Sequence, residues 1–123
     1  MKVLIVEDSV FVQNVIRKAI IDQFPGCEVM TAGDGEKGYA LYQEFQPDIM
    51  TTDLLMPNVT GQELVRRIRE NDKTTRIIVI SADVQKATKD EVEELGIVGF
   101  LNKPVTGDKV ELLAKLIREA PHA

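Results

Sequence analysis

The stretch that decides the fold is Val3-Leu4-Ile5-Val6-Glu7-Asp8, in which four apolar residues lead directly into two carboxylates. A continuous apolar and largely β-branched run is typical of a strand that is buried on both faces of a parallel sheet. Similar runs occupy residues 49–52, 77–80 and 98–101. The polar residues that closely follow these runs are Asp53, Ser81 and Lys103.

Helical patterns separate the strand patterns, so strand and helix alternate five times. The first predicted helix, residues 9–23, carries Val12, Ile16 and Ile20 at helical spacing. Such alternation with short connections requires parallel strands and right-handed crossovers. The predicted strands span residues 2–6, 28–32, 48–52, 76–80 and 98–101. We therefore predict an α/β fold with a five-stranded, doubly wound parallel sheet in flavodoxin-like order 2-1-3-4-5, five helices, and its second strand at an edge.

In this fold a ligand binds at the carboxyl ends of the first and third strands. Glu7, Asp8 and Asp53 meet there, and three carboxylates do not stay ionised together without a counterion. An all-oxygen set indicates a divalent cation such as Mg²⁺. Taken singly, the Glu7-Asp8 pair could instead cap the next helix. Asp53 could be a turn residue, or a nucleophile that accepts a phosphoryl group.

Four segments in this order carry a family resemblance. They are Val6-Glu7-Asp8-Ser9, residues 53–61 (Asp-Leu-Leu-Met-Pro-Asn-Val-Thr-Gly), Ile80-Ser81-Ala82, and residues 100–104 (Phe-Leu-Asn-Lys-Pro). The sequence resembles the receiver domain of two-component response regulators, in particular the single-domain chemotaxis type, and the resemblance covers the whole chain.

The resemblance implies a role for each residue of the expected site. Asp53 would accept the phosphoryl group, and Ser81 and Lys103 would bind its oxygens. Mg²⁺ would be held by Glu7, Asp8, Asp53 and the backbone carbonyl of Leu55. Lys103 and Pro104 would be joined by a cis peptide bond.

The resemblance also implies a switch. Ser81 would move inward after phosphorylation, and Phe100 would swing into the vacated space, which alters the face formed by helix 4, strand 5 and helix 5. Leu55 and Asp83 would flank the path of water to the acyl phosphate. The phosphoryl donor would be a histidine kinase or a phosphotransfer domain, and the altered face would dock a downstream protein. The chain would be a monomer that catalyses only its own phosphorylation and dephosphorylation.

The domain organisation is expected to be simple, with a receiver domain at residues 1–120, a short tail at 121–123 and no output domain. No apolar stretch approaches the roughly 18 residues that span a bilayer. We therefore expect a cytoplasmic protein without membrane contact. The single histidine, His122, lies in the tail and is a poor candidate for a base or a metal ligand.

The charge pattern does not favour nucleic acid as a partner. The chain has a net charge of -5, and a basic patch is the usual electrostatic footprint of a nucleic-acid-binding protein. Arg66, Arg67 and Arg69 are predicted to form the exposed face of the third helix.

Two alternatives compete with a phosphoacceptor. Gly33, Gly35 and Gly38 match a dinucleotide-binding pattern, and Asp53 follows twenty residues after the first of them. Asp34 lies among these glycines, however, and places a negative charge where a pyrophosphate would sit. The other alternative is a degenerate receiver that acts only as a protein-interaction module.

Overall fold

Strands and helices alternate through the whole computed structural model, which describes residues 1–82 and 85–119. The elements in chain order are β1 (Lys2–Val6), α1 (Val10–Gln23), β2 (Glu28–Ala32), α2 (Gly35–Phe45), β3 (Ile49–Thr52), α3 (Gly61–Asn71), β4 (Arg76–Ser81), α4 (Lys86–Leu95), β5 (Gly99–Asn102) and α5 (Asp108–Glu119). Asp83, His122 and the predicted tail at 121–123 lie outside the described residues.

The five strands form one parallel sheet in the order β2-β1-β3-β4-β5. This confirms the predicted fold class and the edge position of β2. Val6 lies level with Ala32 on one side and with Thr52 on the other. This register brings the residues that follow β1 and β3 to the same edge of the sheet.

Side chains of the central strands alternate between two cores. Ile5 and Ile78 point towards the core that includes Ile16 of α1 and Leu113 of α5. The opposite core contains Leu4, Val6, Met50 and Ile77, with Leu64, Val65 and Ile68 of α3. Because both faces are covered, β1, β3 and β4 need apolar residues at nearly every position, which explains the continuous runs in the sequence.

Side-chain caps begin three of the helices. Ser9 accepts a hydrogen bond from the amide of Val12, and Asp34 accepts one from the amide of Lys37. Thr60 accepts from the third amide of α3 in the same way. Each cap satisfies an amide that has no partner within its own helix. The cap at Ser9 matters most for function, because it fixes the start of α1 directly after the Glu7-Asp8 pair.

The prediction that Arg69 lies on the exposed face of α3 is wrong. Arg69 is only 6% exposed, and its guanidinium donates to the carbonyls of Asp72, Thr75 and Gly96 at 2.7–3.1 Å. The residue lies one helical turn after Val65, so its aliphatic stem faces the core. Arg69 thereby joins the end of α3 to the end of α4.

Candidate functional site

Backbone hydrogen bonds of the sheet place the candidate residues at its carboxyl edge. The amide of Glu7 donates to the carbonyl of Ala32 at 2.9 Å, and the amide of Asp53 donates to the carbonyl of Val6 at 3.2 Å. On the other side of the crevice, the amide of Lys103 donates to the carbonyl of Ser81 at 2.9 Å. The ladder of the sheet therefore extends one residue beyond the strands and fixes these backbone positions.

The carboxylate of Asp53 is buried and has a donor at each oxygen. The Ser81 hydroxyl donates to Oδ1 at 2.7 Å, and the Leu55 amide donates to the same oxygen at 3.2 Å. The Lys103 ammonium donates to Oδ2 at 2.6 Å. The Asp53 carboxylate therefore binds both the Ser81 hydroxyl and the Lys103 ammonium, which the sequence analysis expected at this edge.

Glu7 is also buried and shares the Lys103 ammonium with Asp53. Its other carboxylate oxygen accepts from the amide of Ser9 at 2.9 Å. Asp8 is exposed at the mouth of the crevice. The floor of the crevice is therefore formed by the buried residues Glu7 and Asp53, and its rim is exposed to solvent at Asp8.

The two buried carboxyl groups have pKa values that move in opposite directions. Burial raises the pKa of Glu7, and a hydrogen bond with Asp8 adds to the effect. Burial would also raise the pKa of Asp53, but hydrogen bonds from Lys103, Ser81 and the Leu55 amide outweigh it and lower that pKa. The pKa of Lys103 is raised because bonds to Asp53 and Glu7 outweigh the effect of burial. The Asp53 carboxylate and the Lys103 ammonium are therefore both charged at neutral pH.

The donor set fits a hard divalent cation. Glu7, Asp8 and Asp53 each offer a carboxylate oxygen, and these oxygens lie within 4.8 Å of one another. Exposure of Asp8 leaves room for the water ligands that Mg²⁺ usually keeps. Leu55 is 65% exposed and its amide binds Asp53, so its backbone borders the same crevice.

The two predicted switch residues, Ser81 and Phe100, differ in burial and in their contacts. Ser81 is fully buried and its hydroxyl donates to Asp53, and its movement after phosphorylation stays a prediction. Phe100 is partly buried and packs beside Leu54, Val79 and Val92. The Lys89 ammonium lies 5.5 Å from the centre of its ring.

The backbone has one special feature at this edge of the sheet. The Lys103–Pro104 peptide bond is cis.

Gln13, which the sequence analysis did not single out, donates from its side-chain amide to the backbone carbonyl of Glu7 at 2.6 Å. A signal existed in the sequence, because a long polar side chain in the first turn of α1 can reach back to the loop before the helix.

The glycine pattern has a structural explanation. Asp34 occupies the cap position of α2 and accepts the amide of Lys37 at 2.7 Å. A Cβ atom on Gly38 would lie 2.9 Å from both methyl groups of Val6, so this glycine allows α2 to approach β1. The motif therefore serves helix capping and helix–sheet packing, and the aspartate twenty residues later belongs to the crevice.

Comparison with known proteins agrees with this geometry. The family model described as the response regulator receiver domain matches residues 3–117. The chain belongs to this family. The resemblance found in the sequence is thereby confirmed.

The relatives that the chain matches include proteins of different length. Chemotaxis protein CheY of Bacillus subtilis is 31% identical, with 89% of this chain and 90% of that protein covered. A protein-glutamate methylesterase/protein-glutamine glutaminase of Koribacter versatilis is 34% identical over 90% of this chain, but the match covers only 31% of the relative. The chain spans between about a third and a half of the length of most curated relatives that it matches.

Solved structures give the same result. The N-terminal domain of an uncharacterized protein from Wolinella succinogenes has a TM-score of 0.83 and 36% identity, covering 96% of this chain and 94% of the other. Chemotaxis response regulator CheY4 of Vibrio cholerae has a TM-score of 0.81 and 30% identity, covering 94% and 97%. In the described part of the chain, no helix combines the length and the apolar character that crossing a bilayer requires.

Proposed function

We propose that this receiver domain takes part in phosphorelay signal transduction. A phosphoryl group would pass from a phosphohistidine of a histidine kinase or phosphotransfer domain to Asp53, with Mg²⁺ bound by Glu7, Asp8, Asp53 and the Leu55 carbonyl. One observation carries the proposal above all others. The Asp53 carboxylate is buried, yet it remains ionised between a hydroxyl and an ammonium, beside two further carboxylates.

The residues present account for each requirement of the transfer. The Asp53 oxygen attacks phosphorus, the phosphorus–nitrogen bond of the donor breaks, and the imidazole leaves with the electron pair and takes up a proton. Ser81 donates a hydrogen bond and Lys103 supplies a positive charge to the oxygens of the arriving group. The metal ion, when bound, offsets repulsion between the carboxylates and the phosphoryl group.

A protein donor is favoured by the rim of the crevice. Phe11 is 76% exposed, Val10 66% and Leu55 65%, and all three lie within a few residues of the clustered carboxylates. Exposed large apolar side chains in one region are typical of a protein contact surface. We further propose that the transfer takes place in the cytoplasm.

The output would leave through the face formed by α4, β5 and α5. Phosphorylation adds roughly 1.5 to 2 negative charges and three acceptor oxygens. Ser81 bonds to the acceptor, and β4 and β5 are neighbours in the sheet, so a change at Ser81 reaches Phe100 through one strand pair. We also propose that the chain is a monomeric regulator of a chemotaxis pathway. The pathway is supported by the match to chemotaxis protein CheY of Bacillus subtilis, which covers 90% of that protein.

Acceptance of the phosphoryl group can be tested with acetyl phosphate. The unaltered protein, incubated with acetyl phosphate and Mg²⁺, should gain the mass of one phosphoryl group, and a chelator should prevent the gain. Asp53→Asn should abolish it. Asp34→Asn is the matched control, because asparagine also caps helices well and Asp34 lies outside the acidic cluster. No gain in the unaltered protein would favour the degenerate receiver, and a gain that survives Asp53→Asn would refute the assigned acceptor.

The output face can be tested separately. Beryllofluoride mimics the acyl phosphate, and in NMR spectra it should shift the amide signals of α4, β5 and α5 as well as those around Asp53. Shifts confined to the crevice would contradict the proposed route through Ser81 and Phe100.

A further inference from the structure

Three hydrogen bonds hold the backbone and the carboxylate of Glu7 in the Glu7-Asp8 segment. The Glu7 amide donates to Ala32, and the Glu7 carboxylate accepts from the amide of Ser9. The Glu7 carbonyl accepts from the side-chain amide of Gln13 at 2.6 Å. The first of these contacts joins two backbone groups and is available to almost any sequence. The second needs the carboxylate of Glu7, and the third depends on the identity of residue 13.

The Glu7 carbonyl has a particular importance for Asp8. It belongs to the peptide unit that joins the two residues, and that unit is planar. Fixing the direction of the carbonyl therefore fixes the direction in which the chain enters Asp8. Because Asp8 is exposed, packing does not hold its carboxylate. Its direction depends on the peptide before it and on the hydrogen bond with the Glu7 side chain.

Gln13 is well placed to hold this peptide. It lies in the first turn of α1, and its own amide donates to the carbonyl of Ser9 at 2.9 Å. Its side chain is partly buried, so its hydrogen bond to the carbonyl is shielded from water on one side. The start of α1 is itself fixed by the Ser9 cap, and the helix thus forms a rigid base from which Gln13 reaches back to the loop.

We propose that Gln13 is a positioning residue for the cation site, which orients the Glu7–Asp8 peptide so that the Asp8 carboxylate converges with those of Glu7 and Asp53. This inference rests on the proposed function, since it concerns the same Mg²⁺. Residues that orient metal ligands without touching the metal typically contribute about 10–100-fold to metal affinity. Because Gln13 makes a single hydrogen bond to a loop carbonyl, we expect its contribution to Mg²⁺ affinity to be at the lower limit of that range, about tenfold.

The test compares Mg²⁺ affinity by isothermal titration calorimetry in three variants. Gln13→Leu keeps the size of the side chain but removes the donor, and it should bind Mg²⁺ about tenfold more weakly. Gln13→Arg restores a donor, and at high ionic strength, which screens its added positive charge from the cation, it should recover most of the affinity. Asn14→Leu makes a similar change at the next, exposed position of the same helix and should bind Mg²⁺ like the unaltered protein.

A second readout separates positioning from folding. In metal-free protein, the amide NMR signal of Asp8 should move in Gln13→Leu and return towards its original place in Gln13→Arg. Unchanged Mg²⁺ affinity in Gln13→Leu would overturn the inference, as would a weakening that Gln13→Arg does not reverse. Failure of the proposed function looks different, because the unaltered protein itself would then neither bind Mg²⁺ nor gain a phosphoryl group on Asp53, and the inference would fall with it.

Discussion

Replacement of Lys103 by methionine gives the sharpest test of how the crevice is held together. The lysine side chain is 16% exposed, and the two carboxylates that it joins, Glu7 and Asp53, are 2% and 7% exposed. Removing one partner of a buried ion pair typically costs about 3–5 kcal/mol, because the remaining charge is left buried. The Ser81 and Leu55 donors remain on Asp53, so we expect a loss of about 3 kcal/mol, the lower limit of that range.

The loss should depend on pH in a direction that the pKa shifts fix. The pKa of Asp53 is lowered in the folded protein, so the stability that it contributes is present at neutral pH and is lost as pH falls through that lowered pKa. The effect of Lys103→Met should therefore be greatest near neutrality and should shrink in acid. The loss caused by Lys103→Met should also be smaller when Glu7→Gln is already present, because one of the two carboxylates left without the lysine is then uncharged.

Urea unfolding in the presence of a chelator measures this free energy of unfolding. Mg²⁺ at about a hundredfold its dissociation constant should stabilise the variant by about 2.7 kcal/mol and offset most of the loss. Lys18→Met is the control, because Lys18 is exposed and pairs with exposed Asp22; it should leave stability nearly unchanged. The reasoning is refuted if Lys103→Met is as stable as the unaltered protein without metal, or if its loss is equally large in acid.

Three further changes test other parts of the structure. Gly61→Ala should destabilise the fold and prevent phosphorylation by acetyl phosphate, since the new Cβ would lie 2.1 Å from the backbone carbonyl oxygen of Asp53. Gly33→Ala is the control, because its Cβ has open space. It should leave both urea unfolding and phosphorylation unchanged. Thr51→Val should raise the free energy of unfolding by about 1 kcal/mol, because the buried Thr51 hydroxyl has no hydrogen-bond partner among the described residues; a loss measured in urea would contradict this. In a Tyr39→Phe variant, ultraviolet titration should place the pKa of Tyr42, raised by burial, at about 12. Stability linked to Tyr42 should then be complete below the ordinary value of 10.0 and should be lost as pH rises through 12; titration near 10 would refute the assignment.

The sheet could be predicted from the sequence because its central strands are covered on both faces. That burial requires apolar residues at consecutive positions, and the strand bounds accordingly agree with the prediction to within one residue, as at Ser81, which extends β4, and Asn102, which extends β5. Parallel order then followed from the alternation with helices. The convergence of Asp53, Ser81 and Lys103 followed from the order, since neighbouring parallel strands end at one edge.

Details that depend on direction within an element were harder to predict. Arg69 was assigned to solvent because of its charge, although its spacing from Val65 already placed it on the buried side of α3. Its role becomes visible only with the carbonyls of Gly96 and Thr75 in place. Gln13 was missed because its partner is a backbone carbonyl. Its length and its position in the first turn of α1 show that it can reach the loop, but the sequence does not show which carbonyl it binds.

The opposite pKa shifts of Glu7 and Asp53 explain why two buried carboxylates that share one lysine can have different roles. Burial acts on both, but Asp53 has the Ser81 hydroxyl and the Leu55 amide in addition to the lysine, and its charge is therefore stabilised. For Glu7 the cost of burial dominates, so Glu7 gains most from a further cation. A cation at Glu7 would also relieve Lys103 of one of its two partners. Lys103, which donates to Asp53, would then be available to the oxygens of an arriving phosphoryl group, and metal binding would favour acceptance of that group through the lysine as well as through its own charge.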